Sequence, residues 1–192
     1  MLRKNSIEKR FVLAVRRNLE QTLKEGGVAV IPTDTIYGIV ASALNKSAVE
    51  KVYRLKKRNS KKPVLILLSN IKEIENFGGI LPRNIKIFKR KKTTVVLPIR
   101  KSFLKKYEYL HRGHKTVGFR IPFKKSLLAL LKKTGPLIAP SANPEGLTPP
   151  ETISKAKDYF GKKVDYYLGG RVSKRASSIV ELLDKELIIL RK

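Results

Sequence analysis

Three polar clusters sit where apolar runs begin or stop. Pro32-Thr33-Asp34-Thr35-Ile36-Tyr37-Gly38 follows Val28 to Ile31, Lys56-Lys57-Arg58-Asn59-Ser60-Lys61-Lys62-Pro63 precedes Val64 to Leu68, and Ala139-Pro140-Ser141-Ala142-Asn143-Pro144-Glu145-Gly146 closes the run from Leu137. Their side chains are hydroxyls, an amide and many cations, the groups that grip carboxylates and phosphates; Arg does so with a bidentate fork. Pro140 and Pro144 bracket Ser141 and Asn143 and limit how far that backbone can wander. A Ser or Asx turn at a strand end is the plainer reading of Ser-Ala-Asn alone, and a turn or capping role serves equally for Asp34 and Glu145.

Other chemistry is excluded by composition. The chain has no Cys, which removes disulfides, thiolate catalysis and Cys-based zinc sites together. His111 and His114 lie in His-Arg-Gly-His beside Lys115, so a metal ion would meet like charge, and a solvated basic loop is expected there. Neither G-x-x-x-x-G-K-[ST] nor G-x-G-x-x-G occurs, so a nucleotide site must be built without those glycine turns.

The elements that position the clusters can be read from periodicity. Ile7, Phe11, Val15, Leu19 and Leu23 recur every fourth residue before Gly26-Gly27, which predicts a helix over 7–25. A buried strand at 28–32 follows. Asn45 then caps a helix whose apolar face is Ala48, Val49, Val52, Tyr53 and Leu55, with Lys56 and Arg58 at its end, beside the next loop and outside the core. Strands are expected at 64–68, 93–97, 116–121, 137–139, 164–168, 178–183 and 187–190, and helices at 84–90, 126–133 and 150–160, the last opening at Pro150. Strands and helices alternate, and some connections are too short for helical crossovers. The fold class is therefore α/β with a mixed sheet. The ends of strands in such open sheets are where ligands bind.

No composition shift or linker divides residues 1–192, so one domain is expected, and its 42% hydrophobic content is enough for a core. The N-terminus lacks an apolar run of signal-peptide length and no segment is long enough to span a membrane, which makes a cytoplasmic protein the expectation. Forty-three Lys and Arg against fifteen acids give a formal charge of +28, far above the roughly 2 to 8 usual for a small soluble domain. From Arg83 to Lys115 the sole acid is Glu108. Such a field attracts polyanions, although a general lysine bias on solvated faces explains any single lysine as well.

Taken together, "IPTDTIYGIVASALNKSAVEKVYRLKKR", "KKPVLILL", "KTVGFRIP", "PLIAPSANPEG" and "ASSIVELL…IILR", in this order, resemble the YrdC family of threonylcarbamoyl-AMP synthases, in its short single-domain form. The resemblance covers nearly the whole chain and implies a twisted, mixed, open α/β sheet with a basic concave ligand pocket. It also implies a reaction in which L-threonine, bicarbonate or CO2 and ATP give threonylcarbamoyl-AMP and pyrophosphate. Downstream threonylcarbamoyl transferase proteins then modify the adenosine beside the tRNA anticodon. Carried over, the K-x-R pair is Lys56 and Arg58, expected to be catalytic, and the S-x-N element is Ser141 and Asn143. Arg58, Lys62, Thr116, Ser141, Asn143 and Arg191 would bind ATP, while Thr35, Arg120, Ala139 and Ser177 would hold threonine. Magnesium is expected with ATP and not in a dedicated carboxylate cage.

Two departures from the family pattern stand out. Phe88-Lys89-Arg90-Lys91-Lys92-Thr93 replaces a Trp-Pro-Gly-Pro-x-Thr element, keeping the aromatic and the Thr, and Leu67 stands where longer members have His. An alternative of another class is an RNA-binding module, for tRNA, rRNA or double-stranded RNA, or a paralogue without synthase activity, with Tyr107, Tyr109, Tyr166 and Tyr167 as stacking surfaces. Retention of Lys56, Arg58, Ser141 and Asn143 together favours the enzyme.

Overall fold

A computed structural model describes residues 19–83, 85–173, 175–183 and 186–191. Most of the helix expected at 7–25 lies outside the described residues; 19–24 are helical and form α1. A hairpin follows, β1 (Ala29–Pro32) and β2 (Tyr37–Ser42). β2 corrects the sequence reading, which passed directly from the strand at 28–32 to the Asn45 cap. Gly38 pairs with Ile31 and has no positive φ.

α2 (Lys46–Lys56) begins as expected, with Asn45 Oδ1 accepting from the Ala48 amide at 3.0 Å. β3 (Leu65–Leu67) and α3 (Glu73–Asn76) come next, and a 3-10 turn (Ile85–Lys89) replaces the helix expected at 84–90. Then come β4 (Thr93–Pro98), α4 (Lys101–Leu104), α5 (Glu108–His111), β5 (Thr116–Arg120), α6 (Lys125–Thr134), β6 (Leu137–Ile138), α7 (Ile153–Phe160), β7 (Tyr166–Tyr167), β8 (Ser178–Leu183) and β9 (Glu186–Arg191). α7 starts after Pro150 because Thr152 caps it, its hydroxyl accepting from the Lys155 amide at 3.1 Å.

Among the described residues the strands form one mixed sheet in the order β7-β1-β2-β6-β3-β5-β4-β8-β9. β1/β7, β3/β5 and β4/β8 are parallel and the other neighbours antiparallel. Alternation along the strands separates two cores. Val30, Ile39, Ala41, Ile66, Val95, Val117, Phe119 and Val180 face one side, where α2 packs Val49 and Val52. Ala29, Ile31, Val40, Leu67 and Leu137 face the other, beneath Leu19 and Leu23 of α1 and Leu127, Leu130 and Leu131 of α6.

The second face is covered over β1, β2, β6 and β3. Beyond them, the residues of β5, β4 and β8 that alternate with the first core line an open cavity instead. β7 and β8 are consecutive in the chain but stand toward opposite ends of the strand order, so residues 168–173 and 175–177 belong to a crossing between them. Hydrogen bonds fix this crossing at several points: the Tyr37 hydroxyl donates to the Gly170 carbonyl (2.6 Å), Lys124 Nζ to the Arg171 carbonyl (3.3 Å) and Lys92 Nζ to Ser173 Oγ (3.0 Å).

Candidate active site

The cavity on the uncovered face has a volume of about 540 Å3. That lies within the usual range for small-molecule sites, roughly 300 to 1,000 Å3. Thr94 and Val96 of β4 and Thr116 and Gly118 of β5 form its floor. Gly118 keeps the floor flat, since a Cβ there would come within 3.0 Å of Thr94 Cγ2.

One end of the cavity is built by the β1–β2 turn. Thr33 is buried, and its hydroxyl donates to the Ile36 carbonyl (2.6 Å) while accepting from the Thr35 amide (3.1 Å). With its proton used, Thr33 can only accept across the 3.0 Å contact to Thr35 Oγ1. Thr35 therefore donates to Thr33, accepts from Arg120 Nη1 at 3.3 Å, and keeps one acceptor lone pair. Arg120 ends β5 at 2% exposure. Its Nη2 donates to Asp34 Oδ1 at 3.0 Å, while Nε is buried without a partner. Burial lowers the Arg120 pKa, Asp34 opposes this in part, and Arg191 adds a smaller lowering. The pair keeps a guanidinium charged at the cavity wall.

The α2–β3 connection supplies the next wall. Lys57 takes the left-handed conformation, φ 49°, and the Arg58 amide returns to the Tyr53 carbonyl at 3.0 Å. That cap sends Lys56 and Arg58 to different places. Arg58 lines the cavity, with Nη2 donating to the Pro63 carbonyl at 2.9 Å and Nε buried and free. Lys56 is only 2% exposed, which corrects the expectation that this helix end stays out of the core. Its Nζ donates to the backbone carbonyls of Ser141 and Asn143 and does not line the cavity. Burial, then the neighbouring Arg58 charge, lowers its pKa to about 7 against a partial rise from Glu145.

Ser141 lines the cavity from a loop stitched to β2: the Ile39 amide donates to the Pro140 carbonyl (3.0 Å) and the Ala142 amide to the Tyr37 carbonyl (2.9 Å). Asn143 sits behind it, 6% exposed and outside the cavity, with Nδ2 donating to the carbonyls of Pro144 (2.9 Å) and Leu147. Lys62 lines the cavity and pairs with Glu145, whose carboxyl is held below its ordinary pKa chiefly by that hydrogen bond. Thr116, Ala139, Ser177 and Arg191 complete the lining foreseen in the sequence. Ser177 is pinned by Thr94 Oγ1 at 3.0 Å and by Arg191, whose Nε and Nη2 donate to its carbonyl at 3.0 and 2.7 Å.

The structure thus gathers Thr35, Arg58, Lys62, Thr116, Arg120, Ala139, Ser141, Ser177 and Arg191 around one space, and leaves Lys56 and Asn143 in the wall behind it. Sequence reasoning missed Thr94, Gly118 and Glu181; the period-2 alternation of Thr94-Val95-Val96 and Thr116-Val117-Gly118 carried the signal for the first two. The Thr93 hydroxyl goes to the Lys91 carbonyl (3.2 Å), so Thr94 is the β4 hydroxyl in the cavity.

Further expectations are corrected. His111 is not solvated: it is 4% exposed, with Nε2 2.9 Å from the Leu104 carbonyl. Tyr107 is buried and donates to the Asn76 carbonyl (3.0 Å), so it is not a free stacking surface, while Tyr109 is half-buried and donates to the Ala43 carbonyl (2.9 Å). Among the described residues no group of three His, Asp or Glu is placed to hold a metal ion, and no helix is long and apolar enough to cross a membrane. A second cleft of about 840 Å3 beside α2 and α5 is lined in part by Tyr107 and Tyr109 and by none of the residues expected to bind ATP or threonine.

Comparison with known proteins places this geometry. The family model Sua5/yciO/yrdC, described as telomere recombination, matches residues 21–192. A threonylcarbamoyl-AMP synthase of Bacillus subtilis is 32% identical over 154 residues, 77% of this chain and 44% of the relative. One of Marinobacter nauticus is 26% identical over 170 residues, 85% of this chain and 88% of the relative. The crystal structure of Pyrococcus abyssi Sua5 complexed with L-threonine aligns with a TM-score of 0.82 at 26% identity, over 92% of this chain and 53% of that one. The chain thus spans about half the length of some of the relatives it matches.

Proposed function

The chain belongs to the Sua5/YciO/YrdC family, and from that premise we propose that it is a threonylcarbamoyl-AMP synthase acting as one domain. The observation that carries this reading is the meeting, in one cavity, of an amino-acid grip and a phosphate grip. Arg120, fixed by Asp34, offers a fork to a carboxylate, and the remaining lone pair of Thr35 accepts from an ammonium or amine N–H. Arg58, Lys62 and Arg191 line the same space and suit a triphosphate.

In this reaction the amine of threonine adds to CO2 and loses a proton, or condenses with bicarbonate and releases water, and an oxygen of the resulting carbamate attacks the α-phosphorus of ATP as pyrophosphate leaves. Attacker and target are both anions, so charge neutralisation and alignment are the main tasks, and no nucleophilic side chain is required. Arg120 and Thr35 orient threonine with its amine toward the cavity, while Arg58 and Lys62 draw charge off the phosphates. Lys56 serves by holding the carbonyls of Ser141 and Asn143, which sets the loop presenting the Ser141 hydroxyl. Magnesium enters as part of the substrate MgATP, held mainly by phosphate oxygens and water. Asp34 and Glu145 are already engaged by Arg120 and Lys62, which supports that assignment.

The charge of +28 supports an added affinity for tRNA, and the lack of Cys suits a cytoplasmic setting in which the adenylate passes to a downstream transferase. Pyrophosphate release is the test. We expect it to require both threonine and bicarbonate with ATP; release that ignores threonine would overturn the proposal.

A further inference from the structure

Where α2 and α7 begin, Asn45 and Thr152 accept hydrogen bonds from free amides, but α6 begins after Lys124, whose side chain caps nothing. A lysine at this position offers the amides no acceptor and sets a cation at the positive end of the helix dipole, and Lys125 repeats the sign. Burial also holds the Lys124 pKa below its ordinary value, against an opposing pull from Asp34. A local rule broken in this way marks a functional or strained position.

The contacts of Nζ show what the residue does instead. Nζ donates to the Pro32 carbonyl at 3.1 Å and the Arg171 carbonyl at 3.3 Å and reaches the Thr33 carbonyl at 3.5 Å, so the three N–H groups of the ammonium face three carbonyls. Pro32 and Thr33 open the β1–β2 turn that carries Thr35, and Arg171 lies in the crossing between β7 and β8. Just before Lys124, the Phe123 amide donates to Asp34 Oδ2 at 3.3 Å, beside Arg120 Nη2 on Oδ1. Residues 120–124 thus grip the turn from Pro32 to Thr35 along its length. Lys124 holds the backbone of Thr33, whose hydroxyl takes the proton of Thr35 and so directs its free lone pair. Arg58 and Lys62, on the phosphate side of the cavity, are held by other partners, Pro63 and Glu145.

Resting on the synthase reading, we propose that Lys124 is a positioning residue of the threonine site: it fixes the carbonyls of Pro32 and Thr33, and with them the orientation of the Thr35 hydroxyl toward the substrate amine. The cap of α6 is given up to that role.

Two variants separate this role from helix capping. Lys124→Met and Lys124→Ser both remove the ammonium, but only the second supplies a capping hydroxyl, so Lys124→Ser should melt about 3 °C above Lys124→Met. By calorimetry, both are expected to raise the Kd for threonine about tenfold and to leave that for ATP unchanged. A threonine affinity that follows Tm, tighter in Lys124→Ser than in Lys124→Met, would overturn the proposal, because Lys124 would then act through the stability of α6. Equal losses for threonine and ATP, or no loss for either, would also overturn it and leave the synthase reading standing. A wild-type chain that binds no threonine would overturn the synthase reading and the positioning role together.

Discussion

Arg120 and Lys56 are buried to the same extent, 2% exposed each, yet the fold uses them in opposite ways. Arg120 stands at the end of β5 with a carboxylate beside it, so its charge is compensated and its fork still lines the cavity. Among the described residues Lys56 forms no ion pair, Glu145 acting on it only through its charge, and it spends its donors on two backbone carbonyls behind the wall. A buried cation next to an acid can remain a cation and act on a substrate, whereas one surrounded by carbonyls and another cation loses basicity and becomes a brace.

The sharpest way to break this comparison is to remove Arg120. Arg120→Ala is expected to lower kcat/KM for threonine by about a thousandfold, because it deletes the fork and leaves Asp34 buried without its partner. Arg120→Lys should recover little, since an ammonium cannot reproduce the bidentate geometry. Near-normal threonine kinetics in either variant would move the amino-acid site elsewhere.

Next in size is Arg58→Ala, expected to cost about a hundredfold in kcat/KM for ATP with little change in Tm, because Arg58 is only half-buried. A large fall in Tm would reassign Arg58 to the wall beside Lys56. Lys56→Met keeps side-chain volume but strands the carbonyls of Ser141 and Asn143. We expect a loss of about tenfold in turnover together with a Tm lowered by ~5 °C. Abolished turnover at an unchanged Tm would put Nζ on the substrate and erase the distinction from Arg120.

The smallest effect is in pH. The folded pKa of Lys56, about 7, lies below its ordinary 10.5, so between those values the unfolded chain binds more protons and folding stability from this residue climbs with pH. Below the folded pKa both states are protonated and the contribution is flat. Wild type should therefore gain about 1 kcal/mol relative to Lys56→Met from pH 6 to 8, by denaturant unfolding. A gain in the opposite direction would mean that Lys56 is stabilised as a cation.

The sequence showed the chemistry of the site more readily than its wiring. Thr35, Arg120, Ser141 and Ser177 were named through the family resemblance, and the structure places all four around one cavity. Lys56 was misjudged because a lysine at the end of a helix reads as solvated, and only the loop of Ser141 and Asn143, distant in sequence, folds its carbonyls over Nζ. β2 was missed because Ile39-Val40-Ala41 is buried on both faces and so shows no polar alternation. α3, α4 and α5 are four residues each, too short for a 3.6-residue period to register. Thr94 and Gly118 lay in strands read correctly, but which face would be left uncovered depends on how far α6 and α1 reach, a tertiary fact.

The crossing between β7 and β8 also bears on how the molecule is assembled. β7 must find β1 and β8 must find β4, strands separated from them by much of the chain, and Ser177 and Arg191 reach the cavity only once both pairings exist. Loop closure of this length is slow to form compared with local hairpins. We therefore expect the binding site to be completed after the central sheet, so that recovery of ATP binding lags recovery of secondary structure when the protein refolds.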